Sequence, residues 1–138
     1  MLQTSAHNYQ QEQEVNWKSW FPKRGEIYLI DLGQEGKGSE YRGLRPVVIL
    51  SNNINNLHST IIQVAPITSA QGKANIPVHV KLGVEDGLKI SSFVSIEQTS
   101  KISKERGLIN GKLIKITELN ERKMLEIDLA IKIQFGLM

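Results

Sequence analysis

The chain predicts a mainly β fold: a small, strongly bent β-barrel with a C-terminal α-helix and a polar N-terminal extension. Short apolar runs recur along the sequence, each bounded by turn residues, which is the pattern of strands. The connections are rich in Gly, Asn and Ser, as small all-β folds require. Only the last stretch of chain carries apolar residues at helical spacing.

The elements follow in order. Residues 1–16 are polar and rich in Gln and Glu, with no apolar period, and are expected as a disordered or weakly helical tail. Trp17, Trp20 and Phe21 then cluster before Pro22. Two readings are open for them, a hydrophobic plug that seats the tail and a base-stacking or partner-docking surface. The expected division is an extension over 1–21 and a folded domain over 22–138.

EIYLIDL (26–32) is rich in strand formers. GQEGKGSEYRG (33–43) carries four glycines among charges and is expected as a long mobile loop with a functional role. RPVVILS (45–51) and IIQVAPITS (61–69) read as buried strands, with the Asn-rich NNINNLH (52–58) as the turn or loop between them. PVHVKL (77–82) alternates, so Val78, Val80 and Leu82 face inward while His79 and Lys81 face outward.

A further strand is expected over Phe93 to Gln98, and a short helical turn over 103–107. GKLIKI (111–116) is either a last strand or the lead into a helix. Thr117 has the character of an N-cap, with Glu118 and Glu121 where the helix dipole favours acids. Met124, Ile127, Ile131 and Phe135 then share one helix face, widened by Leu125, Leu129 and Ile133. Such a stripe calls for cover, by the barrel or by a second subunit.

Composition narrows the function classes. The chain has 138 residues, enough for one domain, and 40% of them are apolar. The net charge of +3 permits a nucleic-acid partner without demanding one. The absence of cysteine excludes disulfides, thiol nucleophiles and cysteine–zinc sites and is compatible with the cytoplasm. No apolar run approaches the roughly eighteen residues of a membrane helix, and no signal-peptide pattern opens the chain.

Arg45 and Thr68 carry the chemical hypothesis. Pro46 biases Arg45 toward extended backbone, which sets its guanidinium at a strand mouth. A planar cation with several donors, beside a hydroxyl near the end of the next strand, makes a clamp for phosphate. Glu40 lies a few residues upstream, and Glu97 and Gln98 end a later strand. Of the histidines, His7 lies in the tail, His58 in the Asn-rich loop and His79 on an outward strand position. No His, Asp or Glu cluster has metal-ligand spacing, and the glycine loop lacks the Lys-Ser/Thr ending of a P-loop.

RGEIYLIDL (24–32), GSE (38–40), GLRPVVILSN (43–52), APIT (65–68), IPVHV (76–80) and IEQ (96–98) resemble, in order and spacing, the MazF/PemK family of toxin endoribonucleases. The resemblance covers roughly residues 22–137. It implies a barrel related to SH3 folds, a homodimer, cytoplasmic action and inhibition by a cognate antitoxin protein. It also implies metal-independent, cofactor-free cleavage of single-stranded RNA. Arg45 and Thr68 match the family's catalytic pair, and Glu40 matches a position that assists in some members. Lys37, Ser39 and Arg42 in the glycine loop, with Ser92, Glu97, Gln98 and Lys101, are the expected RNA contacts. Where relatives often place an arginine, at about Ser100, this chain reads Thr99-Ser100-Lys101, and a point charge does not replace a planar fork.

The implied reaction is attack by a ribose 2′-hydroxyl on its own 3′-phosphorus, giving a 2′,3′-cyclic phosphate and a 5′-hydroxyl. Arg45 and Thr68 stabilise charge on the phosphorane oxygens, and the general base is either Arg45 or Glu40. Two rivals stand beside this reading: a non-catalytic, gyrase-poisoning toxin of the same barrel fold, and a plain SH3-like adaptor.

Overall fold

The computed structural model describes residues 11–38, 40–69 and 76–138, with side chains from residue 15 onward. The strands are β1 (Gln11–Glu14), β2 (Glu26–Asp31), β3 (Leu44–Ile49), β4 (Ile61–Ser69), β5 (His79–Leu82), β6 (Ser92–Ser95), β7 (Ser100–Ser103) and β8 (Lys112–Glu118). Two α-helices accompany them, α1 (Asn53–His58) and α2 (Glu121–Gln134). The antiparallel sheet runs β1-β8-β2-β3-β4-β6-β5, with β7 branching from β4. No pairing joins β1 to β5 among the described residues, so the sheet is bent but open, where the sequence predicts a small, strongly bent barrel.

The bend is made by β4. Its first half, Ile61–Val64, pairs with β7, and its last three residues, Ile67–Ser69, pair with β6. Pro66, which has no N–H to donate, sits where the strand changes partner. One long strand therefore serves both sides of the fold, and its far end carries Thr68 to the mouth of the bend.

The sheet is covered on both faces, which is why its central strands read as continuous apolar runs. Ile27, Leu29, Val48, Ile67 and Val94 lie in one core, closed by Ile127 and Ala130 of α2. Tyr28, Ile30, Val47, Ile49, Val64 and Ile102 lie in a second core on the other face. Each such Val or Ile contributes about 1.5–3 kcal/mol on burial. Trp20 completes the second core at 3% exposure, edge-on to Tyr28 with ring centroids 5.2 Å apart. It is the plug of the aromatic cluster, whereas Phe21 is exposed and Trp17 half-buried.

Several sequence expectations are corrected. Residues 11–14 are not a loose tail but a strand that pairs with β8. Residues 53–58 are helical, not a loop: Asn52 accepts from the Asn55 amide at 2.8 Å and caps α1. Buried Asn56 holds this helix to Ser51 and to Lys104, so tertiary bonds override its poor helix propensity. Strand β6 stops at Ser95, and residues 96–98 form a 3₁₀ turn. Thr117 is not an N-cap, because β8 continues through it opposite Ile27; Asn120 caps α2 by accepting from the Lys123 amide at 2.8 Å. The expected turn near 103–107 is present as a 3₁₀ turn over 104–107. On α2 only Ile127 and Ala130 are buried; Leu125, Leu129, Ile133 and Phe135 remain exposed in the single chain.

Candidate active-site cleft

The β3–β4 register brings the two expected catalytic residues together. Val47 pairs with Pro66, and continuing that antiparallel register by two residues sets Arg45 opposite Thr68. Strand alternation puts both side chains on one face. Arg45 Nη1 donates to Thr68 Oγ1 at 3.4 Å. Because Thr68 accepts that bond, its own hydroxyl proton stays available for a ligand oxygen.

The guanidinium is held from two more directions. Arg45 Nε donates to the Arg42 carbonyl at 3.0 Å, and the Tyr41 ring lies under the cation with 4.7 Å from Cζ to the ring centroid. Tyr41 is itself tied down: its hydroxyl is 3.1 Å from Ser95 Oγ, and its amide donates to Gln98 Oε1 at 3.3 Å. The loop that delivers these residues is closed at its base. Leu32 donates to the Gly43 carbonyl at 2.9 Å and Gly43 to the Gly33 carbonyl at 2.7 Å. Gly33 and Gly43 close it with φ of +82° and +79°, a region that disfavours side chains. No ion pair joins Arg45 to a carboxylate among the described residues, and its side chain lines a cleft.

Arg45 and Thr68 line a cleft of about 460 Å³ with Leu44, Pro46, Ile67, Lys89, Ile90 and Ser92. A second, more polar recess of about 470 Å³ lies beyond Tyr41. It is lined by Glu35, Glu40, Tyr41, Glu97, Gln98, Lys101 and Arg106, among others. The expected site residues thus divide between two depressions. Arg45, Thr68 and Ser92 share the first, and Glu40, Glu97, Gln98 and Lys101 share the second.

Glu40 does not fold back onto Arg45. Its Oε1 accepts from the Lys37 amide at 2.7 Å, which turns the carboxylate into its own loop. Arg42 is exposed and donates to the Gly36 carbonyl at 2.9 Å. Ser92 is buried, and its hydroxyl donates to the Ile90 carbonyl at 2.9 Å. Lys37 is exposed on the loop. Ser39 and His7 lie outside the described residues. His58 ends α1 on the surface.

His79 corrects another expectation. Its side chain is only 9% exposed, stacked on Phe93 at 4.2 Å between ring centroids, with Nε2 2.7 Å from Glu97 Oε2. The sequence reading passed over Tyr41, although an aromatic residue four positions before the key arginine is a usable signal. It also passed over Lys89 and Arg106, which only the tertiary structure places at the two depressions. No group of three or more side chains suited to a metal occurs among the described residues.

The chain is similar to known proteins in sequence and in fold. The family described as "PemK-like, MazF-like toxin of type II toxin-antitoxin system" matches residues 23–135. A protein named Endoribonuclease MazF from Staphylococcus epidermidis is 40% identical over 116 residues, covering 83% of this chain and 92% of that protein. A mycobacterial endoribonuclease solved with its cognate antitoxin superposes with a TM-score of 0.67 at 25% identity, over 85% of this chain and 97% of that one. MazF from Deinococcus radiodurans superposes with a TM-score of 0.69 at 20% identity, over 86% of this chain and 99% of that one.

Proposed function

The chain belongs to the PemK-like, MazF-like family of type II toxins, and from that membership we propose that it is an endoribonuclease cutting single-stranded RNA at the Arg45–Thr68 cleft. The observation that carries this reading is the 3.4 Å contact between the two side chains, beside a cleft with further N–H donors on offer.

The substrate brings its own nucleophile. A ribose 2′-hydroxyl attacks the adjacent phosphorus, the bond to the 5′-oxygen breaks, and a 2′,3′-cyclic phosphate and a 5′-hydroxyl result. What the protein must supply is alignment and charge stabilisation. Arg45 supplies planar N–H donors to the phosphorane oxygens and Thr68 a further hydroxyl donor. Glu40 is committed to its own loop, so it belongs with the recess and not with the scissile phosphate. The chemistry needs no metal and no cofactor.

The uncovered apolar residues of α2, Leu125, Leu129 and Ile133, support a homodimer. The relative solved with its cognate antitoxin supports an antitoxin as partner, and the chain's net charge of +3 suits an acidic, partly disordered segment that displaces RNA. We place the action in the cytoplasm, where such RNA is found.

The test is incubation of the purified chain with a mixed-sequence RNA in excess chelator, followed by mapping of the cut ends. Discrete cuts with cyclic-phosphate and 5′-hydroxyl ends are expected, with affinity falling as salt rises. A strict metal requirement would overturn the mechanism. An intact RNA under all conditions would return the chain to a gyrase-poison-like role.

A further inference from the structure

The strand register places His79 opposite Ser95 and Phe93 opposite Thr68, so these four residues share the sheet face that carries Arg45. The imidazole is buried against Phe93, and its Nδ1 is buried with no hydrogen-bond partner. An unmet polar atom in such a place costs stability. The polar contact that offsets this cost is the 2.7 Å bond from Nε2 to Glu97. Since a carboxylate only accepts, Nε2 is the donor. Glu97 is 36% exposed and lines the polar recess, with one oxygen engaged by His79.

We propose that His79 is a positioning residue that fixes Glu97 as a reader of nucleobase amines in this recess. The proposal rests on the RNA-cutting reading above. Tyr41 lines the recess and also lies under the Arg45 guanidinium, so a base held there belongs to a nucleotide next to the scissile phosphate. The second oxygen of Glu97 accepts a hydrogen bond from the amino group of cytosine, adenine or guanine. Uracil has no such group, and its N3–H is flanked by two carbonyl oxygens that the carboxylate repels. Lys101 and Arg106 on the same walls suit the phosphates on either side, while Glu35 and Glu40 add to the acceptor character.

The experiment compares cut-site preferences of the wild type, Glu97→Gln and His79→Phe on a randomised RNA, with folding checked by circular dichroism. The wild type is expected to exclude uracil at one position near the cut. Glu97→Gln offers an amide N–H to a carbonyl, so it should raise cutting at uracil relative to amine-bearing bases by about ten- to a hundredfold. His79→Phe keeps an aromatic ring on Phe93 but frees Glu97. It should weaken the discrimination through a higher KM on the favoured sequence, with kcat held. Unchanged preferences in both folded variants would overturn the proposal. So would unchanged preferences accompanied by weaker binding of a basic peptide, which would assign the recess to a protein ligand. If the wild type cuts nothing, the catalytic reading has failed separately. Affinities for short RNAs differing in one base then test the recess alone, and equal affinities in wild type and Glu97→Gln would overturn it.

Discussion

The Arg45 guanidinium meets the Thr68 hydroxyl at 3.4 Å, each residue lying two positions beyond the last β3–β4 pair, Val47 with Pro66. Both side chains are only part-buried, so neither carries the core. Arg45→Ala should therefore leave the melting transition nearly unchanged while abolishing RNA cutting. Thr68→Val should cost on the order of a hundred- to a thousandfold in kcat, and Thr68→Ser much less. Single-turnover cleavage rates check both. An Arg45→Ala variant that still cuts would move the catalytic role elsewhere.

Tyr41 supports the guanidinium with its ring and is braced by its hydroxyl. Tyr41→Phe keeps the ring and loses only the bond to Ser95, so a modest loss of activity is expected. Tyr41→Leu removes the aromatic face, worth about 0.5–2 kcal/mol, and should slow cutting more than Tyr41→Phe does. Equal rates for the two variants would show that the ring does not hold Arg45.

The second core depends on a close approach between Trp20 and Gly107. A Cβ at Gly107 would stand 2.1 Å from Trp20 Cζ3, a distance no non-bonded carbon pair tolerates. Gly107→Ala should therefore destabilise the chain by about 1–3 kcal/mol, the usual cost of overpacking. Urea denaturation measures the loss. Trp20→Ala should cost about 3–5 kcal/mol through the cavity it leaves.

Lys104 is buried, and burial pulls its amine below the ordinary 10.5. Its Nζ donates to the Asn56 carbonyl at 2.5 Å. Between the lowered folded value and 10.5 the unfolded chain holds a proton that the folded chain has released, so stability rises with pH across that window. Tyr28 acts in the opposite sense. Burial pushes its hydroxyl well above the ordinary 10.0, so the unfolded chain ionises first and stability falls above about pH 10. Urea midpoints from pH 7.5 to 11 should climb and then drop in the wild type. Lys104→Met should lose the climb and keep the drop.

Much of this fold was legible in advance because its signals are local. EIYLIDL, RPVVILS and IIQVAPITS announce strands by composition, and their unbroken apolar character follows from a sheet covered on both faces. What misled was equally local. Four asparagines in 52–58 argue for a loop, yet Asn52 caps a helix and Asn56 anchors it. Thr117 has the chemistry of a cap, yet β8 runs on through it, with Ile114 and Ile116 just before it facing the core.

The sequence by itself determined most of the kinds of element, the family, and the choice of Arg45 and Thr68 as the candidate pair, since apolar runs and short ordered motifs are written residue by residue. Only the tertiary structure decided that the sheet stays open, that Glu40 turns away from the arginine, and that His79 is buried against Phe93 with Glu97 in its grip. Those outcomes depend on contacts between segments far apart in the chain, and the free energy that selects them comes from packing and hydrogen bonds that no single stretch contains.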